Sequence, residues 1–206
     1  MNRLALAVIL TSSAFLPAAN AQAATFVYEA ALSGLNEAPP NASPATGLTT
    51  VFYDDVAHTL RVQVTFADLL GTTTASHIHI LTDLLQPTGP VFTQTPSFSG
   101  FPLGVQSGSY DHTFDLTAAS SWNATILNGQ FLANTAAAEA YFALGLQEGR
   151  AYLNVHTTLF PAGEIRGFLT PAVPEPATWA LLLLGFALAG ATLRRRPAGA
   201  RVAAAI

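Results

Sequence analysis

An alternation of apolar and polar residues defines the clearest element of this chain. Between Leu60 and Phe66, every second residue is large and apolar, and the residues between them are polar. This period of two predicts a β-strand with one buried face. The segment Leu48–Tyr53, rich in threonine, valine and aromatic residues, predicts the strand before it. The polar segment Asp54–Thr59 predicts a turn, so the pair is expected to form a hairpin.

Similar segments predict further strands around Phe26–Ala30, Thr74–Leu81, Ser109–Leu116, Arg150–Thr157 and Glu164–Leu169. The last two flank Pro161-Ala162-Gly163, which predicts a turn. The segment 86–108, rich in proline and glycine, predicts a long loop. The alanine-rich segment 134–149 predicts a helix, and a weaker helical piece is expected around residues 117–127. Short strands without a βαβ rhythm favour a mainly β fold: an antiparallel β-sandwich or barrel-like single domain with one or two short helices.

The N-terminal segment has the pattern of a secretory signal peptide over residues 1–23. Arg3 provides a positive start, Leu4–Leu10 is a continuous apolar run, and Pro17 ends the helical stretch. Ala21 and Ala23 then fit the small-x-small rule for signal-peptide cleavage. An uncleaved anchor is the alternative, but the apolar run is short for a membrane span. We therefore expect export, with residues 24–171 as the mature domain.

The C-terminal segment has three parts in a fixed order. Val173–Ala177 contains two prolines and predicts an extended linker that is not helical. The uncharged run Ala177–Leu193 follows and predicts a transmembrane helix at the short limit of length. Arg194, Arg195 and Arg196 come next and are expected to anchor the cytoplasmic side, by the positive-inside rule. Residues 197–206 would then form a cytoplasmic tail.

This C-terminal arrangement resembles the PEP-CTERM sorting signal of Gram-negative bacteria. The resemblance rests on the sorting motif Pro174, Glu175 and Pro176, on the single apolar span and on the arginine cluster, and it covers residues 172–196. It implies a transient inner-membrane intermediate, cleavage by an exosortase, and delivery to the cell surface or extracellular matrix. A plain single-pass anchor is the alternative.

Composition and charge narrow the range of functions. The chain has no cysteine, which excludes disulfides, thiolate metal sites and a cysteine nucleophile. It has no lysine, and residues 24–170 carry three arginines against eleven acidic residues. A surface of this charge has no basic patch, so we expect no nucleic-acid partner. The serines lack a nucleophile-elbow motif, and no complete catalytic constellation is visible.

Four separated motifs resemble those of the CHRD domain, the module named after chordin. They are, in chain order, Leu32–Pro40, the histidine strand Ser76–Ile80, Gly89-Pro90-Val91, and the closing segment 151–169. The resemblance spans nearly all of residues 24–171 and implies a β-sandwich-like module. It does not imply an agreed biochemical activity.

Three histidines are the candidate metal ligands: His77, His79 and His156, here called the histidine trio. On strands, His77 and His79 project from one face, opposite Ile78, and His156 shares a face with Asn154. If the two strands are neighbours, the imidazoles converge, and three of them suffice for a copper or zinc site with an open position.

The alternative for the histidine trio is a structural polar network, with Glu164 and Arg166 orienting His156. His58, in a predicted turn, and His112, beside Asp111, are expected to be solvated rather than ligands. The His-x-His strand also resembles part of the copper-zinc superoxide dismutase site, but this chain lacks the usual cysteine pair and a clear motif for the remaining ligands.

Together these patterns predict an exported module without catalytic activity that acts as a structural or binding component of the cell surface or matrix. The expected partners are the secretion machinery, an exosortase, and a matrix component or exopolysaccharide. No cofactor is required by this hypothesis. The rival hypothesis is a secreted copper- or zinc-binding metalloprotein, or a superoxide-dismutase-like enzyme, that uses the histidine trio.

Overall fold

The alternating segment forms the middle of a long β-meander in the computed structural model, which describes residues 25–172 and 176–194. The strands are β1 (Thr25–Ser33), β2 (Thr46–Asp54), β3 (Thr59–Ala67), β4 (Thr73–Ile80), β5 (Gly108–Asp115), β6 (Ala151–Thr157), β7 (Ile165–Phe168) and β8 (Thr170–Pro171). The helices are α1 (Ala124–Phe131), α2 (Thr135–Gln147) and α3 (Pro176–Arg194). Each strand expected from the sequence is present, and so is the β2–β3 hairpin.

All strands belong to one antiparallel sheet. Its order is β4-β6-β7-β1-β2-β3-β5, and the short β8 pairs with β1. The sheet curls into a half-barrel, so the predicted barrel-like, mainly β class is confirmed. β4 and β6, which carry the histidine trio, are neighbours at one end of this order.

The concave side of the sheet encloses the core. Alternate residues of β3, from Leu60 to Phe66, are almost fully buried there, as their period of two predicts. Helix α2 closes one side through Phe142 and Leu146, and Gly145 lies close against Ile80. The absence of a side chain at Gly145 allows this close packing of helix and sheet.

The predicted loop between β4 and β5 covers the free edge of β4. The Phe92 and Phe98 amides donate to the carbonyls of Ile78 and Ser76, and the Ile80 amide donates to the Pro90 carbonyl. These bonds satisfy backbone groups that an edge strand would otherwise leave unpaired. The loop therefore shields β4 and brings its carbonyl groups close to the face that carries His77 and His79.

The two domain helices differ in how well the sequence located them. Helix α2 begins after Asn134, whose side chain accepts a hydrogen bond from the Ala137 amide at 3.1 Å, as the predicted cap requires. The weaker helical piece, expected around residues 117–127, was misplaced: residues 119–121 form a 3-10 turn, and α1 begins only at Ala124. The reason is that Asn123 caps α1, while the indole of Trp122 is buried in the core.

The C-terminal helix corrects one prediction. α3 begins at Pro176, so the extended linker expected over residues 173–177 does not include Pro176 and Ala177. Proline is well tolerated in the first turn of a helix, because the amide that it lacks would have no partner there.

Among the described residues, no helix reaches the combined length and apolar character that a membrane crossing requires. The transmembrane helix predicted over residues 177–193 is therefore not confirmed. α3 has 19 residues.

Several predicted features lie outside the described residues. They are the signal peptide with Ala21 and Ala23, Pro174 and Glu175 of the sorting motif, Arg195 and Arg196 of the arginine cluster, and the tail 197–206. Arg194 is the last residue of α3.

Candidate metal centre

The histidine trio comes together on two paired strands. β4 and β6 run antiparallel, with His77 opposite Asn154 and Ala75 opposite His156. Ile78 is fully buried in the core, so the histidines lie on the other face of the sheet. One ring nitrogen from each histidine lies within 4.8 Å of the others. The structure thus has the convergence that the sequence pattern required.

The face that carries the histidine trio is itself largely covered. His77 and His79 are only 6% and 9% exposed, whereas His156 is partly exposed. The covering segments are the β4–β5 loop and the β6–β7 turn. The histidine trio therefore forms a covered cluster, here called the pocket, of which His156 is the most exposed member.

Each histidine is oriented by a backbone carbonyl. The Nδ1 atoms of His77, His79 and His156 lie 3.2, 2.8 and 2.9 Å from the carbonyl oxygens of Pro96, Gly89 and Pro161, respectively. A carbonyl oxygen can only accept, so Nδ1 donates in all three rings. In a neutral imidazole the remaining nitrogen, Nε2, then carries a lone pair. Carbonyl partners of this kind fix the tautomer and orientation of metal-binding histidines in proteins.

The Nε2 atoms lack suitable partners of their own. The Nε2 atoms of His77 and His156 lie 2.9 Å apart. The Nε2 atom of His79 is buried and has no hydrogen-bond partner within the described part of the chain. Two neutral rings with both Nδ1 atoms protonated would point lone pairs at each other, which is unfavourable unless a cation lies between them. An unpartnered buried acceptor carries a similar cost.

Burial keeps these rings neutral. It lowers the pKa of His77 to about 3, with further lowering by the neighbouring His79 and His156. Burial also lowers the pKa of His79 to about 4, although its bond to the Gly89 carbonyl acts in the opposite direction. The pKa of His156 is lowered as well, again by burial. Neutral imidazole is the form that binds metal ions.

The distances suit a small transition-metal ion. Copper and zinc bind imidazole nitrogen at about 2.0–2.1 Å, which places tetrahedral ligands about 3.3 Å from one another. The observed nitrogen separations, from 2.9 Å to at most 4.8 Å, bracket that value. The histidine trio therefore fits such an ion after small ring movements.

An aromatic and charged layer lies behind His79. The Tyr152 ring stacks on the His79 ring at 4.7 Å between centroids and 4° between planes. Arg166 lies on β7, the neighbour of β6, and its guanidinium is 4.8 Å from the centroid of the Tyr152 ring. Arg166 Nε is 3.9 Å from Glu37 Oε2, and both residues are buried. Burial raises the pKa of Glu37 to about 7, against the opposing effect of Arg166.

Two more buried oxygens lack hydrogen-bond partners among the described residues: Oε1 of Glu37 and Oδ1 of Asn154. Both approach Gly163, which has φ of +131°. A Cβ atom there would lie 2.5 Å from the Asn154 oxygen and 2.7 Å from the Glu37 oxygen. Glycine is therefore required in the β6–β7 turn, which also supplies the Pro161 carbonyl that orients His156.

The predicted orientation of His156 by Glu164 and Arg166 is wrong. Glu164 is fully buried and accepts hydrogen bonds from Ser43, Leu70, Gly71 and Thr157. Arg166 donates instead to the carbonyls of Asn36 and Pro87. Both side chains therefore hold loops in place, and the carbonyl of Pro161 orients His156.

The other two histidines lie away from the histidine trio. His112 is exposed on β5, as expected. His58 is not simply solvated: its Nδ1 lies 2.9 Å from the buried carboxylate of Glu139 on α2, and its side chain is about half exposed. This contact joins the β2–β3 turn to the helix.

Sequence reasoning missed most of what surrounds the ligands. The three carbonyl acceptors belong to Gly89, Pro96 and Pro161. Pro96 lies in a segment that the sequence marked only as loop, and the CHRD-like motifs that contain Gly89 and Pro161 gave no sign that their carbonyls orient the rings. The position of Tyr152 could have been predicted, because it lies two residues before Asn154 on the same strand and therefore shares the face that carries Asn154 and His156. No local pattern connects the distant Glu37 with this site.

Comparison with family models gives two matches. The CHRD domain model matches residues 28–169, and the PEP-CTERM protein-sorting motif matches residues 172–196. Curated proteins and solved structures give no match. The fold and the two matches define a surface-sorted protein with a β-rich exported domain. The chain belongs to the CHRD domain family.

The second match confirms the C-terminal resemblance. The PEP-CTERM motif implies export, processing by an exosortase, and membrane-anchored sorting in a Gram-negative bacterium.

Proposed function

We propose that the CHRD domain of this protein is a metal-binding module of the cell surface or extracellular matrix that holds one copper or zinc ion on His77, His79 and His156. One observation carries the proposal: all three imidazoles donate from Nδ1 to backbone carbonyls, the Nε2 atoms of His77 and His156 lie 2.9 Å apart, and the buried Nε2 atom of His79 has no hydrogen-bond partner among the described residues. A cation shared by the three nitrogens would remove the repulsion between the first two and would also give His79 Nε2 a partner.

The role proposed is binding and not catalysis. Among the described residues, the histidine trio is the one group of three or more histidine and carboxylate side chains that is close enough to share an ion. It contains no carboxylate to act as a general base. A superoxide-dismutase-like activity remains the alternative and would require the bound ion to be redox-active copper.

The same contacts support a second candidate role. The three Nδ1 bonds attach the β4–β5 loop and the β6–β7 turn to the sheet, so the histidine trio also suits a polar network that only stabilises the fold. A structural network of this kind would need no ion, and the domain would then function through a matrix partner such as an exopolysaccharide.

Metal content separates the two roles. The full chain would be purified after growth with copper and zinc and measured by elemental mass spectrometry. We expect about one ion per chain. In His77→Ala and His156→Ala the affinity for the metal should fall by more than the roughly 10–100-fold that is typical of losing an outer-shell partner, so that little metal is retained on purification. His112→Ala is the matched control, because that histidine is exposed and lies away from the site.

His156→Ala is the more informative variant, because loss of its partly exposed ring should disturb the fold less than loss of the buried ring of His77. A folded, metal-free protein with all five histidines intact would overturn the proposal and leave the structural network. Metal that stays bound in folded His156→Ala would overturn the assignment of this ligand. Superoxide consumption by the copper-loaded chain would instead support the enzymatic alternative.

Surface or matrix location is tested separately. The proposal expects the processed domain outside the inner membrane, in the outer surface or matrix fraction. Retention of the whole protein in the inner membrane of a host with an active exosortase would contradict it.

A further inference from the structure

The layer behind His79 places a fixed positive charge close to the candidate ion. Arg166 is 6% exposed, and its guanidinium lies over two rings, 4.8 Å from the centroid of Tyr152 and 5.5 Å from that of Phe168. Tyr152, 1% exposed, in turn stacks on His79. Arginine keeps its charge at all ordinary pH values. Arg166, Tyr152 and His79 are thus in successive contact, which connects a permanent positive charge with one of the candidate ligands.

This charge is only weakly compensated. The hydrogen bonds of Arg166 go to the backbone carbonyls of Asn36 and Pro87, which carry no net charge. Glu37 is its ionic partner, but the 3.9 Å separation is longer than a hydrogen bond. The positive field of Arg166 thus extends to His79 through a dry, aromatic layer, where screening by water and salt is small.

The ligand set itself supplies no negative charge. The histidine trio consists of three neutral imidazoles, without a carboxylate in the group. A buried ion in such a site keeps its full charge, and the cost of desolvating a charge rises steeply with its magnitude. A divalent ion is therefore penalised more than a monovalent one, and the repulsion from Arg166 is doubled for the divalent ion.

We propose that Arg166, stacked on Tyr152 behind His79, makes this site select monovalent copper over divalent copper and zinc. The inference rests on the proposed metal-binding function. Imidazole is a suitable ligand for copper, and three nitrogen ligands without a fourth side chain match the low coordination number that Cu(I) accepts. Arg166 acts here as a specificity-determining residue that does not touch the ion.

The chain is well suited to test this inference. It has no cysteine, and its single methionine is Met1. Sulfur ligands, which usually dominate Cu(I) binding, therefore contribute nothing from the domain itself. The dissociation constants of the full chain would be measured for Cu(I) in competition with bicinchoninate and for Cu(II) in competition with glycine. The ratio of the two constants is the readout, because a general loss of structure would weaken both.

Charge variants give predictions of opposite sign. Arg166→Met should shift the ratio toward Cu(II) by about tenfold, the effect expected of one charge at this range in a partly dry site. Glu37→Gln removes the partial compensation of Arg166 and should shift the ratio toward Cu(I). Arg166→Lys keeps the charge and should retain most of the preference, even where the hydrogen bonds to Asn36 and Pro87 change.

Arg61→Met is the matched control, because it removes the same charge from an exposed ion pair with Asp111. Its ratio should equal that of the unaltered chain. A ratio unchanged in Arg166→Met, or shifted equally by Arg61→Met, would overturn the role of Arg166 while the metal site stands. Binding of Zn(II) or Cu(II) as tight as Cu(I) in the unaltered chain would also overturn it. An unaltered chain that binds no copper in either oxidation state would instead overturn the metal site.

Discussion

The five histidines of this chain occupy two kinds of surroundings. His77, His79 and His156 lie in a covered pocket, where each ring faces a backbone carbonyl. His58 is half exposed and faces the carboxylate of Glu139, and His112 is exposed on an outer strand. A carboxylate or water can compensate a protonated ring, whereas burial favours a neutral ring with a free lone pair, against the opposite effect of the carbonyl bonds. The same residue type thus faces a carboxylate or solvent in one region and backbone carbonyls in a covered cluster in the other.

The largest expected effect concerns the backbone that orients the pocket. Gly163→Ala forces a side chain into a turn with φ of +131°, against the oxygens of Asn154 and Glu37. We expect a loss of about 3 kcal/mol or more in the free energy of unfolding, from strain and steric overlap together. Gly100→Ala is the matched control, because Gly100 has φ of +76° but open space around it. Chemical denaturation of the metal-free protein measures both.

Gly100→Ala should cost only about 1 kcal/mol, since the conformational strain acts there alone. Equal losses in the two variants would show that the crowding at Gly163 contributes nothing. The β6–β7 turn would then tolerate an added side chain as readily as the open position at Gly100.

The next effect is the dependence of stability on pH in the metal-free protein. The folded pKa values of His77 and His79, about 3 and about 4, lie below the ordinary histidine value of 6.5. Between these values the unfolded chain binds more protons than the folded one, so the free energy of unfolding falls as the pH falls. The contribution of the two histidines is therefore highest above about pH 6.5 and should drop by at least about 2 kcal/mol on the way to pH 4.

His77→Gln isolates the contribution of the pocket. Its ring faces His79 and His156, so its removal should flatten the decline in stability between pH 6.5 and 4. His112→Ala should leave the decline unchanged. Glu37, whose pKa is raised to about 7, acts in the opposite direction and lowers stability as the pH rises from about 4.5 to 7. Identical pH profiles for His77→Gln and His112→Ala would contradict the distinction between the two regions.

The smallest effect concerns the exposed region. His58 has φ of +52°, so His58→Asn is chosen because asparagine tolerates this conformation. We expect a loss of about 1 kcal/mol, because the buried Glu139 then keeps only its bond from the Tyr53 hydroxyl. His112→Ala should change stability by less than about 0.5 kcal/mol. A loss in His112→Ala as large as that in His58→Asn would show that the Glu139 contact adds nothing.

Most of the fold follows from local patterns. The alternation of β3 and the polar turn before it located the β2–β3 hairpin, because a period of two allows one buried face. The helix after Asn134 was located by its cap. Where local signals conflicted, prediction was less accurate: α1 begins after Asn123, and α3 includes Pro176, which the proline pattern had placed in an extended linker.

The sequence by itself determined the class of the domain, its sorting signal and the identity of the three candidate ligands. Alternation also placed His77 with His79, and His156 with Asn154, on common faces. Only the tertiary structure decided that β4 and β6 are neighbours, that the carbonyls of Gly89, Pro96 and Pro161 orient the rings, and that Arg166 and Glu37 lie behind His79. The reason is physical: alternation is a property of neighbours along the chain, whereas strand pairing and loop closure are fixed by the packing of the whole core.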